Sequence, residues 1–301
     1  MKEASGLAQS VQTRLVRTAR ELGVDPNLIL SRYAAERFLH RLSRSRHANR
    51  FVLKGAMMLL VWIGDIVRPT RDVDLLGIGE LTDDAIMETF REIAALEVEP
   101  DGVVFDPSSI TVAPIRAEDA YGGRRVTLSG HLGPARLRVQ VDIGIGDAVC
   151  PDPEWIEYPS LLDLPRPRLR AYRPETSIAE KLHAMTILGS RNSRMRDFFD
   201  IRALAAAEEF EGDLLVAAIR ATFERRGTPV QRRPLALTPA FADVEAKPEQ
   251  WRAFLRKNGL KEIELAAVVS EIAAFLAPAI DAAADNRPFT AVWPPGGPWQ
   301  P

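Results

Sequence analysis

At 301 residues the chain is long enough to bury a sizeable core, as one large domain or two ordinary ones. Hydrophobic residues make up 46% and charged residues 27%, the balance of a globular protein. The formal net charge of −2 supplies no global field toward a polyanion, so any such partner must be met by local clusters. Cys150 is the single cysteine, which excludes an internal disulfide and argues against a cysteine-built zinc site.

The amino-terminal residues MKEASGLAQSVQTRL carry no apolar signal core. The apolar stretch at 52–66 is interrupted by Lys54 and Asp65, so a cytoplasmic protein without a membrane partner is expected. Helices are predicted at 5–23 and 26–47, the second started by Asp25 as cap and Pro26 at the first helical position. Along this second helix and just beyond it, Arg37, Arg41, Arg44, Arg46 and Arg50 form either a phosphate-contacting face or a solvated one. Lys54-Gly55-Ala56 opens a third helix over 55–63, and Gly64-Asp65 turns into a strand carrying Arg71-Asp72-Val73-Asp74. Thr82-Asp83-Asp84 caps a further helix to about 96. The region 110–145 alternates apolar and polar residues, with a hairpin-like break at Gly133-Pro134.

Prolines at 151, 153, 159, 165, 167 and 174 mark the following segment as a connector or boundary. Helices are then predicted at 175–189, 193–208, 212–226, 248–258 and 261–283, with a loop over 225–248 and an extended arm over 286–301. A second arginine cluster, Arg191, Arg194, Arg196 and Arg202, falls among them. The division expected is an α/β domain at 1–150, a Pro-rich connector at 151–174 and a mainly helical domain at 175–301 that contributes to the active site.

In a strand, residues two apart project to the same face, so Asp72 and Asp74 point together. Two carboxylates on one face repel unless a cation sits between them, and a divalent metal on oxygen ligands is the common solution. Asp142, in the alternating strand around Arg138-Val139-Gln140-Val141-Asp142, is the candidate third carboxylate; Asp147 in the turn beyond is its rival. The alternative for Asp142 is a salt bridge to Arg138 or Arg124. Lys54 and Gly55 at a helix mouth suit a triphosphate, whose charge the backbone N–H groups and helix dipole favour; the alternative for Gly55 is a tight turn alone. Lys181 follows Glu180 at the edge of an apolar helix stripe, and Asp197 and Asp200 share a face of the next helix. Either the lysine holds phosphate as a point charge or it makes a helix–helix bridge to Asp197 or Asp200.

These stretches, in this order, resemble the AbiEii-type nucleotidyltransferase toxins, which include the mycobacterial MenT proteins. The resemblance runs from about 30 to 205 and rests on Lys54-Gly55-Ala56, Arg68-Pro69-Thr70-Arg71-Asp72-Val73-Asp74, Glu180-Lys181 and Arg196-Asp197-Phe198-Phe199-Asp200. It implies an α+β fold: a polymerase-β-like nucleotidyltransferase core, a small mixed sheet with flanking helices, plus a C-terminal helical domain. It implies that Asp72, Asp74, Lys181 and Asp200 are catalytic and that Asp72 and Asp74 hold Mg²⁺, to which the strand pattern adds Asp142 as a third ligand. Lys54, Gly55, Arg68, Thr70, Arg71, Glu180 and Asp197 are implied around an NTP. Transfer of a nucleotide to the 3′ end of tRNA follows, in a toxin held in check by a cognate antitoxin, with Thr70 a candidate for inactivating phosphorylation. Ala56 departs from the family pattern, in which a second glycine or a phosphate-contacting serine stands there. Two other functions fit the same fold: nucleotidylation (AMPylation) of a protein hydroxyl, and a catalytically inactive regulatory binding protein.

Overall fold

The computed structural model describes residues 2–64, 70, 72–115 and 122–301, with only the backbone considered for residues 2–5. The chain divides into two compact units. The first comprises Met1–Met58, Pro69–Gly146 and Glu154–Ala171, and the second Leu59–Arg68, Asp147–Pro153 and Tyr172–Pro301.

The first unit begins with α1 (Lys2–Glu21) and α2 (Pro26–Arg44). Asp25 caps α2 by accepting a hydrogen bond from the Asn27 N–H, and Pro26 stands in the first turn. Strand β1 (Phe51–Lys54) leads through a single 3₁₀ turn, Gly55–Met57, into α3 (Met58–Ile63) at the unit boundary. Then come β2 (Asp72–Gly77), α4 (Asp83–Ala95, capped by Thr82), β3 (Val103–Pro114), β4 (Arg124–Leu132) and β5 (Ala135–Ile145). The Pro-rich segment expected to be a connector supplies β6 (Glu154–Glu157) and β7 (Arg168–Ala171) instead. Its prolines stop short of both strands, which leaves the ladder N–H groups intact.

These strands form one mixed sheet in the order β3-β4-β5-β2-β1-β7-β6. Strand β2 lies parallel to β5 and antiparallel to β1, while β4 is antiparallel to both β3 and β5. Alternate residues of β4 and β5, among them Val126, Leu128, Val139 and Val141, are buried on one face, toward the side where α2 packs on β5 and α4 on β3. Phe38 of α2 stacks on Phe90 of α4 at 5.4 Å, and Phe105 of β3 meets Phe38 edge-on.

The same packing overturns the reading of α2 as a nucleic-acid face at Arg37 and Arg41. Both are buried, at 1% and 6% exposure. Arg37 donates to Glu36 at 2.7 Å and to the Pro165 carbonyl, while Arg41 holds Asp101 with two nitrogens and also reaches the Val103 carbonyl. Buried guanidinium groups need such partners. Arg44 and Arg46 remain on the surface, and Arg46 is paired with Glu92.

The second unit is mainly helical: α5 (Pro174–Leu188), α6 (Met195–Ala207), α7 (Gly212–Arg225), α8 (Pro239–Ala242), α9 (Ala246–Lys257) and α10 (Leu265–Asp285). A short ribbon pairs β8 (Phe210–Glu211) with β9 (Val292–Trp293). Helix α10 is long and apolar enough to cross a membrane by length and composition, although the sequence carries no uninterrupted apolar run of that length. Its Val268, Ile272, Phe275, Leu276 and Ala279 are buried in this unit's core. The expected carboxy-terminal arm packs there too, Trp293 and Trp299 against Phe275 at 4.9 and 5.8 Å.

Candidate active site

The register of four strands assembles a charged row across the first unit. Lys54 of β1 is opposite Asp74 of β2, Asp74 is beside Asp142 of β5, and Asp142 is opposite Arg125 of β4. Directly paired residues share a face and sit within side-chain reach, so the row reads cation, anion, anion, cation. Asp72 is two residues from Asp74 on that same face, next to Gln140 and then Thr127. All of the row's side chains are half-buried.

Gly55 makes room for this row. Its φ of +73° lies in the region that suits glycine. A Cβ built there would stand 2.0 Å from Asp74 Oδ2. The glycine is therefore required by the approach of the Asp74 carboxylate and not merely by the turn. Gly55→Ala is expected to lose about 1–3 kcal/mol from backbone strain alone and to push the Asp74 carboxylate aside. An unchanged urea-unfolding midpoint would contradict this.

Asp142 is engaged at both oxygens: Arg125 Nε donates to Oδ1 at 2.8 Å and Nη2 to Oδ2 at 2.7 Å. The salt-bridge alternative therefore holds, but with Arg125 as partner. Arg138 lies on the same strand as Asp142, and Arg124 is instead paired with Asp83. The Arg125 guanidinium has its pKa raised, first by this hydrogen bond and also by the nearby charges of Asp142, Asp72 and Asp74. Arg125 is therefore the group with which a metal would share the Asp142 carboxylate. No group of three His, Cys, Asp or Glu residues able to hold a metal occurs among the described residues. What the Asp72–Asp74 pair does fit is a divalent cation that takes one or two carboxylates and draws its remaining ligands from water and substrate phosphates. Thr70 is half-buried, while Arg68 and Arg71 lie outside the described residues.

In the second unit, α5 and α6 bring Lys181 to two carboxylates. Lys181 Nζ donates to Asp200 Oδ2 at 2.7 Å and to Asp197 Oδ1 at 3.1 Å, and Arg194 Nε lies 2.8 Å from Asp197 Oδ2. The two aspartates are buried, at 1% and 0% side-chain exposure, while Lys181 keeps 14%. Lys181 and the more exposed Arg194, at 34%, are thus the members of this cluster that reach the surface. Glu180 accepts a hydrogen bond from the Tyr172 hydroxyl at 3.0 Å. Asp147 is held by Arg226 at 3.2 Å, in this unit. Arg226 also donates to His183 Nδ1, which puts the imidazole proton on Nε2, facing Thr228. Burial and the Arg226 charge push the His183 pKa down to about 4, so it is neutral near pH 7.

Compared with protein families, residues 37–286 match the model described as the nucleotidyl transferase AbiEii toxin, type IV TA system. The chain belongs to the AbiEii family. The AbiEii assignment makes it a nucleotidyltransferase toxin of a type IV toxin–antitoxin system, which implies a nucleotide substrate and an antitoxin partner. Among solved structures it is similar to MenT4, a nucleotidyltransferase toxin from Mycobacterium tuberculosis H37Rv. Identity is 19% and the TM-score 0.54, over 91% of this chain and 99% of that one, a likeness of fold. JHP933 from Helicobacter pylori aligns at 14% identity and a TM-score of 0.49, over 87% and 94% of the two chains. No curated protein sequence matches.

Arg125 is the site residue that sequence reasoning missed, and a signal for it existed. A two-residue loop at Gly133-Pro134 pairs Leu132 with Ala135, and counting back along the hairpin sets Arg125 opposite Asp142.

Proposed function

We propose that this AbiEii protein transfers an NMP from an NTP to the 3′ end of an RNA, the tRNA acceptor end, in a Mg²⁺-dependent reaction in the cytoplasm. The acceptor 3′-hydroxyl oxygen bonds to the α-phosphorus, pyrophosphate leaves, and the hydroxyl proton passes to solvent. A tRNA so extended is no substrate for aminoacylation, which accounts for toxicity. The observation that carries this reading is the row of β1, β2, β5 and β4, in which Gly55 gives way to Asp74 and two cations flank the carboxylates.

In this proposal Asp72 and Asp74 hold the metal, which supplies charge neutralisation at the phosphates and a more acidic acceptor hydroxyl. Lys54, the Gly55 turn and Thr70 are assigned to the nucleotide, and the sequence motif assigns Arg68 and Arg71 to it as well. The absence of a hydroxyl at Ala56 leaves Thr70 and the backbone N–H groups to donate there. Lys181 binds phosphate, and Asp200 and Asp197 fix the direction of its ammonium. Glu180, whose carboxylate accepts from the Tyr172 hydroxyl, is assigned to nucleotide binding by its place beside Lys181.

The test is incubation of the protein with each labelled NTP, Mg²⁺ and total tRNA, with Asp72→Ala as the blank. Label on tRNA from the parent alone supports the proposal. Label on protein would favour a protein hydroxyl as acceptor, and no label with any NTP would favour an inactive binding protein.

A further inference from the structure

The packed face of the first unit's sheet has an open counterpart along β4 and β5. Outward from the Arg125–Asp142 pair, the residues directly opposite one another on that face are Thr127 and Gln140, then Ser129 and Arg138, then His131 and Arg136. Thr127 and Gln140 are half-buried and the outer two pairs are exposed.

Charge changes sign along this ladder. Asp72 and Asp74 begin it as anions, and the Asp142 carboxylate in their row is neutralised by Arg125. Arg138 and Arg136 end it as exposed guanidinium groups that make no ion pair among the described residues. Asp106 on β3, opposite Ser129, puts one carboxylate beside that end; its Oδ1 accepts from the Ser108 N–H and hydroxyl, and it makes no ion pair with either arginine among the described residues.

A solvated polar face is ordinary for an antiparallel sheet. This one differs in that unspent positive charge continues the row of the candidate metal carboxylates on the same surface. A polyanion whose reactive end lies at the carboxylates would find its preceding phosphates over Arg138 and Arg136. From Asp142 to Arg136 the strand runs about 20 Å at roughly 3.4 Å per residue, room for a few nucleotides of extended chain. Of the six outer ladder positions only His131 carries a ring. Stacking platforms for bases are therefore scarce, and contacts go to the sugar–phosphate backbone with little sequence preference.

We infer that the open β4–β5 face is the track for the single-stranded 3′ segment of a polyribonucleotide acceptor, whose phosphates lie on Arg136 and Arg138 and whose last nucleotide meets Asp72 and Asp74. The inference rests on the proposed transfer to RNA and replaces the buried Arg37 and Arg41 as the source of its backbone contacts.

The experiment compares the full chain with its Arg136→Glu/Arg138→Glu variant, after a thermal melt shows both folded. Binding of total tRNA and of a short fluorescein-labelled single-stranded RNA is followed without Mg²⁺ over a salt series. Affinity is expected to fall at least tenfold, and the slope of log affinity on log salt to flatten by about 1.4, from roughly 0.7 for each of two phosphate contacts on a single strand. Binding of a fluorescent NTP analogue is expected to stay as in the parent. Unchanged RNA affinity and slope would overturn the track. So would an equal loss on reversing two exposed arginines of the second unit, Arg252 and Arg256, because the effect would then be one of net charge. Failure of the underlying reading looks different: the parent puts no label on RNA, while the binding measurement still judges the surface.

Discussion

Asp74→Asn is expected to lower nucleotidyl transfer by about three orders of magnitude while the protein stays folded. Asparagine has nearly the shape of aspartate, so it still fits the gap left by Gly55, where a Cβ would stand 2.0 Å from Asp74 Oδ2. The charge is what disappears. Lys54, directly opposite, then faces a neutral amide, and Asp72 alone remains for a cation. Stabilisation of phosphate charge by a bound metal contributes several kcal/mol to a transition state, and about 4 kcal/mol corresponds to roughly a thousandfold. Single-turnover transfer of labelled NMP measures the loss, and Mn²⁺ binding followed by electron paramagnetic resonance gives a readout independent of turnover. Asp142→Asn, by contrast, is expected to leave Mn²⁺ binding within a fewfold of the parent, because that carboxylate is occupied by Arg125. Equal losses of Mn²⁺ in the two variants would make Asp142 a third ligand.

What was legible in the sequence, and what was not, divides by the range of the interactions involved. Local signals read correctly: Asp25-Pro26 and Thr82 start the helices they were expected to start, and the Gly133-Pro134 break joins two strands. The family pattern, spread over four short motifs, led to the family that the match over 37–286 assigns. Long-range partners were harder. Arg37 and Arg41 read as surface residues because the groups that allow their burial, Asp101 and the carbonyls of Val103 and Pro165, lie 60 or more residues away in the chain. Strands β6 and β7 hid among prolines because each is four residues long, too short for alternation to register. The Lys181 bridge was legible only as an alternative, since spacing shows that Asp197 and Asp200 share a face but not what faces them.

That bridge sets up the second large effect. Lys181→Met is expected to destabilise the protein by about 3–5 kcal/mol, the usual result of removing one partner of a buried ion pair. Asp200, with no side-chain exposure, loses a cation at 2.7 Å, whereas Asp197 keeps Arg194 at 2.8 Å. Adding Asp200→Leu removes the second charge. An apolar pair of similar volume replacing a buried ion pair is often neutral in stability, so Lys181→Met/Asp200→Leu is expected to unfold in urea near the parent's midpoint. Function should not return with stability. In the proposed role Lys181, whose side chain keeps 14% exposure, also gives its charge to a phosphate of the NTP. Both variants are therefore expected to raise the KM for NTP at least tenfold. A double variant with the parent's KM would make Lys181 a helix–helix brace and nothing more, and the phosphate would then have to be held by Lys54 and the arginines before β2.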